Sequence, residues 1–394
     1  MQTAQRLQKI PPYPFREIAD LKVKARADGV DLIDFGIGDP DQPTPKHVID
    51  AFAKEIYNPQ WHRYDETGYG DERFREVIAR YASLRFGIDV DPASEIQVAT
   101  GSKDSLAKII WAYVDPGDIV LVPDPAYPVY RVNTMFCAGA PYPMPLLPEN
   151  GFLPDLSAIP TSVAKAAKML WLCYPNNPTG AVAEVEYFRE VAEFARRYDI
   201  LVCNDAAYID VAYDGYQPHS FLEADGGKDV CIEFHSLSKR YNMTGWRLGW
   251  SWGSAEAVAA LSKMKSNVDN GTFLALQRAG AAALAGPQKC VDDLCETYRR
   301  RRDLLVGGLR SLGCDIEPPR AAFYVWAPVP RGYTSESFAR ALLTECAILV
   351  TPGSAYGEYG EGFVRFSLTI LADDPEVRIR EAIGRIEDNL QVEW

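Results

Sequence analysis

The sequence predicts an α/β protein, with a large lobe built on a mostly parallel sheet between helices and a smaller α+β lobe after it. Two observations carry that expectation. Between Glu95 and Gly253 short apolar runs alternate with helical patterns, the signature of parallel strands joined by crossover helices. Beyond about Gly286 the alternation gives way to a charged helix, the pair Pro318-Pro319, and short strands mixed with helices. The length of 394 residues agrees, since at roughly 150 residues per domain it allows two or three lobes around a sizeable core.

Taken in order, the first forty residues hold Pro11-Pro12, Pro14 and a strand-like Leu32 to Phe35, and they are expected to dock on the smaller lobe. The strand candidates of the large lobe are Ile96 to Thr100, Asp118 to Asp124, Lys168 to Tyr174, Ile200 to Asp205, Val230 to Ser236 and Arg247 to Gly253. Ser105 to Tyr113 and Glu184 to Tyr198 carry apolar residues at three- and four-residue spacing, as amphipathic helices require. In the smaller lobe Cys290 to Leu312 reads as a helix, and Phe323 to Trp326, Ala347 to Val350 and Val364 to Thr369 read as strands. The division that follows is 1–45 with the small lobe, 46–285 as the large lobe, and 286–394 as the small lobe proper. No internal repeat is present.

Composition bounds the function. With 47% hydrophobic and 24% charged residues the chain is an ordinary globule, which excludes disordered and collagen-like classes. The net charge of -13 repels polyanions and argues against nucleic acid or an anionic membrane as the main partner. Met1 to Phe15 lacks the apolar core of a signal peptide, and the longest apolar stretch is broken by Arg278, so the chain reads as cytoplasmic. The eight cysteines show no C-x-x-C pairing and suit reduced, mostly buried thiols; the four histidines have no metal spacing, so no metal is expected.

Six segments carry chemistry, each with a plainer reading beside it. Glu233-Phe234-His235-Ser236-Leu237-Ser238-Lys239, followed by Arg247, is a strand ending in hydroxyls and a lysine. That suits a phosphate-bearing carbonyl cofactor, because a desolvated lysine can form a Schiff base; a surface lysine after a strand is the alternative. Tyr174-Pro175-Asn176-Asn177-Pro178-Thr179-Gly180 follows a strand, where open parallel sheets place their ligands, yet a simple reversing turn would look similar. Asp205, with Tyr208 three residues on, is either a helix cap or the partner of a buried ring nitrogen. Thr100-Gly101-Ser102-Lys103 is a helix start able to bind phosphate, or an N-cap and nothing more. Tyr127 can lay its ring on a planar cofactor or pack in the core. Arg365, inside Phe363-Val364-Arg365-Phe366, can grip a carboxylate with both arms of its guanidinium or serve a structural ion pair.

In this order, each at a strand end, these segments resemble the fold-type I pyridoxal-phosphate enzymes, specifically the class I/II aminotransferases, over nearly the whole chain. The most specific parts are Asn177-Pro178-Thr179-Gly180 and Ser236-Leu237-Ser238-Lys239 with Arg247. Tyr13-Pro14-Phe15-Arg16-Glu17-Ile18, Gly36-Ile37-Gly38-Asp39-Pro40 and Gly101-Ser102-Lys103 look like motifs of the LL-diaminopimelate aminotransferase group. The resemblance implies pyridoxal 5'-phosphate as cofactor, with Lys239 as the Schiff-base lysine, Asp205 on the pyridine nitrogen and Tyr127 stacked on the ring. Asn177 and Tyr208 would hold the ring hydroxyl oxygen, while Ser102, Ser236, Ser238 and Arg247 would bind the phosphate, joined by Tyr64 from the other subunit of a homodimer. Arg365 would take the substrate α-carboxylate, helped by the Gly38 backbone; Tyr13, Lys103 and, across the dimer, Asn270 fall on the pattern for the distal end of a long substrate.

The reaction implied is transamination from an L-amino acid, LL-diaminopimelate on the closest pattern, to 2-oxoglutarate, with ping-pong kinetics and a place in lysine biosynthesis. An aspartate, alanine or aromatic aminotransferase, or a lyase on the same fold, would use the same residue types. The chain departs from the family in one place: around Gly68-Tyr69-Gly70, between Tyr64 and Phe74-Arg75, it is one residue longer, which puts the contacts of Tyr64 and Glu66 in question. A nucleotide-binding enzyme is disfavoured, because neither a P-loop nor a complete G-x-G-x-x-G follows a strand.

Overall fold

The structure, a computed structural model, describes residues 1–11 and 14–394. Strand β1 (Ile33–Asp34) lies in the N-terminal segment. The large sheet is built from β2 (Ile96–Ala99), β3 (Ile119–Asp124), β4 (Ala140–Pro145), β5 (Ala167–Leu172), β6 (Leu201–Asp205), β7 (Cys231–Ser236) and β8 (Gly249–Gly253). Its spatial order is β2-β8-β7-β6-β5-β3-β4. Only β8 runs antiparallel to its neighbours, β2 and β7; the other pairings are parallel, so the sheet is mostly parallel as the sequence predicts. After it come β9 (Tyr324–Pro328), β10 (Ile348–Leu349), β11 (Thr351–Pro352) and β12 (Phe363–Ser367). The last three of these elements to pair, β11, β12 and β9, form an antiparallel sheet, while β10 pairs in parallel with β1.

Both faces of the large sheet are covered, as a parallel sheet requires. One face packs around Trp250, Trp252, Phe74 and Phe188, the other around Trp171, Tyr130 and Phe234. A third core joins Ile33 and Phe35 to the long helix Lys289–Ser311 and to β9 and β12. Residues Tyr208, Val211 and Tyr213, which follow β6, also insert into that third core. Asp41 ties the N-terminal segment to the long helix through a bidentate, nearly water-free ion pair with Arg301.

Most boundaries shift by a residue or two from the sequence pattern, and three of the shifts have a clear local reason. Arg247, expected at the start of a strand, sits in the left-handed region (φ 54°), and β8 begins two residues later. Ala347 likewise caps the helix Ser335–Cys346 in the left-handed region, so β10 starts at Ile348. The helix expected from Ser105 starts at Ser102, released by Gly101 at φ 72°.

Strand β4 has no counterpart among the predicted strands, because Pro141, Pro143 and Pro145 read as strand breakers. Ala140 and Leu146 donate their N–H groups to the carbonyls of Asp118, just before β3, and Asp124, at its end, both at 2.8 Å, so the even positions bond inward. The prolines fall on the alternate, outward positions, where no ladder bond is lost, and they leave that edge without donors for another strand. Among the described residues no helix is long and apolar enough to cross a membrane.

One buried carboxylate ties the strand ends together. Glu233, fully buried on β7, accepts from Asn204 Nδ2 (2.8 Å) on β6, Trp252 Nε1 (2.9 Å) on β8, Ser220 Oγ (2.8 Å) and Phe221 N (2.7 Å), and lies 2.8 Å from His235 Nε2. Burial pushes its carboxyl up, but the bond to His235 and the other donors outweigh that and hold it below the usual range. Replacing Glu233 with Ala strands these donors in a dry core, and the thermal midpoint is expected to fall by the equivalent of about 3 kcal/mol or more, measured by calorimetry. A midpoint unchanged within error would remove Glu233 from this role.

Candidate active site

A cleft of ≈ 330 Å³ opens at the C-terminal ends of β5, β6 and β7 and is closed from the other side by β9 and β12. This is where an open parallel sheet presents its strand ends and free loop groups. The cleft brings together Gly38, Ser102, Lys103, Tyr127, Asn177, Asp205, Tyr208, Ser236, Ser238, Lys239, Arg247 and Arg365. All of them were singled out from the sequence.

Lys239 lies in the single turn Leu237–Arg240 directly after β7, and its Nζ donates to Gly38 O at 3.0 Å. Burial is the main cause that lowers its ammonium pKa to about 8; the cations Arg365 and Arg247 add to the effect and Asp39 opposes it. An amine near neutrality is a competent nucleophile and base. Asp205, the last residue of β6, shows the opposite shift: burial raises its carboxyl to about 6, with the Tyr130 hydrogen bond (Tyr130 Oη to Oδ2, 2.7 Å) working against it. Its other oxygen, Oδ1, is buried with no hydrogen-bond partner.

The turn after β5 explains why two asparagines stand side by side. Asn176 spends its side chain on the turn itself, accepting from Thr179 N and Thr179 Oγ1 and donating to Cys173 O. Asn177 is thereby left for the cleft, and its Oδ1 accepts from Arg365 Nη1 at 2.8 Å. Arg365, on β12 and 1% exposed, also donates to Gly36 O at 2.9 Å, and its guanidinium lies 4.1 Å from the centre of the Tyr324 ring. Tyr208 is buried and meets Tyr324, hydroxyl to hydroxyl, at 2.7 Å.

At the other end of the cleft the donors gather for an anion. The helix Ser102–Tyr113 presents its first turn beside Ser236, Ser238 and Arg247. Ser236 Oγ accepts from Ser238 N, whereas Ser238 Oγ is buried without a partner. Gly101 is required here: at φ 72° a Cβ would come within 2.3 Å of the Arg247 guanidinium. Tyr127 sits between these ends, its ring edge-on to Tyr130 and 5.8 Å from Lys103 Nζ.

Two expected residues are not in the cleft. Tyr64 is 76% exposed, and Asn270 borders a separate surface groove with Asp65, Glu66 and Lys265, so a single chain does not bring either one to Lys239. Tyr13 lies outside the described residues. Conversely, Asp39, Tyr130 and Tyr324 belong to the site without having been assigned to it from sequence. Tyr130 lies in the first turn of the helix Val129–Phe136, just after Tyr127, and nothing in the local sequence marks it out from a core aromatic. Among the described residues no group of histidine, cysteine or carboxylate side chains is arranged to hold a metal ion.

The profile of aminotransferase class I and II matches residues 30–386. This chain belongs to the class I and II aminotransferases. The LL-diaminopimelate aminotransferase of Moorella thermoacetica is 52% identical over 98% of this aminotransferase and 100% of its own length. That of Desulforudis audaxviator is 51% identical over 97% and 96%. Among solved structures, substrate-bound BacF from Bacillus subtilis superposes with a TM-score of 0.93 at 34% identity, covering 98% of both chains. A Thermus thermophilus aspartate aminotransferase gives 0.90 at 30% identity, over 99% of this chain and 100% of that one. The aminotransferase is therefore a transaminase with the fold-type I architecture.

The depressed lysine gives a direct test on the protein without cofactor. Trapping of a small aldehyde by borohydride reduction at Lys239 should rise with pH through about 8 rather than 10.5 and be absent in Lys239→Ala. A profile that climbs only near 10.5 would mean the amine is not desolvated.

Proposed function

We propose that this aminotransferase moves the amino group of LL-diaminopimelate to 2-oxoglutarate, using pyridoxal 5'-phosphate held in the cleft. The observation that carries the reading is the meeting of Lys239, Asp205 and Arg365 in one pocket: an amine near neutrality, a buried carboxylate and a buried guanidinium, each a different demand of amino-acid transamination. The substrate rests on the relatives, two of which carry that name at 52% and 51% identity over nearly the whole chain.

The residues fit the cofactor. Asp205 Oδ1 and Ser238 Oγ, both buried and without partners, are the groups a ring N–H and a phosphate would satisfy. Asp205 at about 6 is ionised at neutral pH and so matches a protonated ring nitrogen. Ser102, Ser236, Ser238, Arg247 and the helix start form a donor set for a phosphate dianion. Lys103 lies beside Tyr127 in the same cleft, although its part in the reading is at the substrate's far end.

When bound, the cofactor supplies an electron sink for the pair left behind as the substrate α-proton departs. Lys239 Nζ would hold the cofactor through its aldehyde carbon, and the same amine, near neutrality, would take up the substrate α-proton and give it back during the reaction. Asp205 would keep the ring nitrogen protonated, Asn177 and Tyr208 would hold the ring hydroxyl oxygen, and Tyr127 would lie against the ring. Arg365 and the Gly38 backbone fix the α-carboxylate, which sets the α-carbon within reach of Lys239. Lys103 and Tyr13 would meet the distal end of the substrate.

A homodimer completes this reading. Tyr64, Tyr57, Val268 and Phe273 are exposed apolar side chains, at 76%, 85%, 52% and 38%, and a second copy of the chain would cover them and receive Tyr64 and Asn270. Such an enzyme needs no nucleic acid and no membrane, and its setting is the cytoplasm.

A half-reaction screen tests the substrate. Cofactor-loaded enzyme mixed separately with LL-diaminopimelate, glutamate, aspartate, alanine and phenylalanine should lose its visible absorbance quickly with the first two only. Conversion by aspartate, alanine or phenylalanine instead would discard diaminopimelate, and conversion by none would favour a lyase. For Arg365→Ala, kcat/KM should fall roughly 100-fold for every α-amino acid, as expected on removing a buried charged contact. An unchanged value would return Arg365 to a structural role.

A further inference from the structure

We infer that Tyr324 is a positioning residue for the reaction, one that donates its hydroxyl proton to Tyr208 and so aims the Tyr208 proton into the cleft. The inference rests on the proposed use of pyridoxal phosphate. Tyr324 begins β9, in the sheet that carries Arg365, whereas Tyr208 follows β6 of the large sheet. It therefore bridges the two sides of the cleft.

Four contacts fix Tyr324 with little freedom. Its hydroxyl is 2.7 Å from that of Tyr208, and the two rings meet edge to face at 5.4 Å and 70°. Its ring lies under the Arg365 guanidinium at 4.1 Å. Gly38 leaves the space its ring fills, since a Cβ there would stand 2.1 Å from the Tyr324 hydroxyl. The side chain is 2% exposed, so water does not compete for the bond.

Either hydroxyl can donate in an isolated pair of tyrosines, and the surroundings decide between them. A cation lies over each ring, Arg365 at 4.1 Å from the centre of Tyr324 and Lys239 Nζ at 5.8 Å from that of Tyr208, and the nearer, permanently charged guanidinium draws more density from Tyr324 and favours its O–H as the donor. Tyr208 then accepts from Tyr324, and its own proton is committed to a second acceptor. Tyr208 borders the cleft, where the ring hydroxyl oxygen of the cofactor is the acceptor that the proposed reading supplies. Hydrogen bonds in such a chain polarise one another, so Tyr324 strengthens the bond Tyr208 makes. A donor to that oxygen draws off its negative charge and weakens its hold on a proton, and loss of the donor does the reverse.

The test is a double-mutant cycle read by absorbance rather than turnover. Wild type, Tyr324→Phe, Tyr208→Phe and the double variant are loaded with pyridoxal 5'-phosphate, and the pH midpoint of the visible band is recorded for each. Tyr324→Phe removes one oxygen and keeps the ring against Arg365, so the packing stays. The midpoint should move upward by roughly half a pH unit or more in the wild-type background, and should not move when Phe already occupies position 208. An unshifted midpoint for Tyr324→Phe, or an equal shift in both backgrounds, overturns the inference while leaving the cofactor reading intact. Failure of the wild-type protein to develop any visible band overturns that reading, and the inference with it.

Discussion

The dry carboxylate of Glu233 is the constraint on which the site's geometry depends. Strands β6, β7 and β8 meet around it, and the residues that matter for chemistry lie one or a few positions further along the same strands: Asp205 after Asn204, Ser236 after His235, Lys239 at the end of the following turn. A charge left in a low-dielectric core is tolerated only when its hydrogen bonds are made, so the strands cannot slide past one another without stranding it. A register fixed in the core is thus a register fixed in the cleft.

Within the cleft, burial does opposite things to opposite charges. It lowers Lys239 to about 8 and raises Asp205 to about 6, drawing the two toward neutrality from either side. The lysine becomes available as an amine while the carboxylate remains ionised at neutral pH, helped by Tyr130. One physical effect therefore yields a near-neutral amine and an ionised carboxylate in the same cleft, and Tyr130, Asp39 and Arg365 adjust the balance. Paired environments that push titratable groups away from their ordinary values mark functional sites more often than structural ones.

Much of this was legible in the sequence, and the gaps have definite causes. The buried parallel strands β3, β5, β6 and β7 announced themselves as apolar runs, and the residues at their ends could be assigned because strand ends are where ligands sit. Strand β4 was hidden by its prolines, whose meaning depends on which side of the strand they face. The left-handed backbone at Arg247 leaves no apolar signature, so the start of β8 is not legible in the sequence. Tyr324 looked like any aromatic in an apolar run; its importance comes from meeting Tyr208 across 116 positions of chain, a contact no local pattern encodes. Tyr64 and Asn270 lie outside the cleft of a single chain, and no local pattern in the sequence distinguishes a residue that faces its own cleft from one that faces outward.

The cleft also has walls of separate origin. Lys239 and Asp205 stand on the large sheet, while Arg365 and Tyr324 stand on a sheet with its own apolar core. A molecule gripped at both ends is a strut between two bodies that fold around different centres. Occupancy and resistance to unfolding are then coupled by mass action, so the protein's lifetime in a cell would track how much of its ligand is at hand.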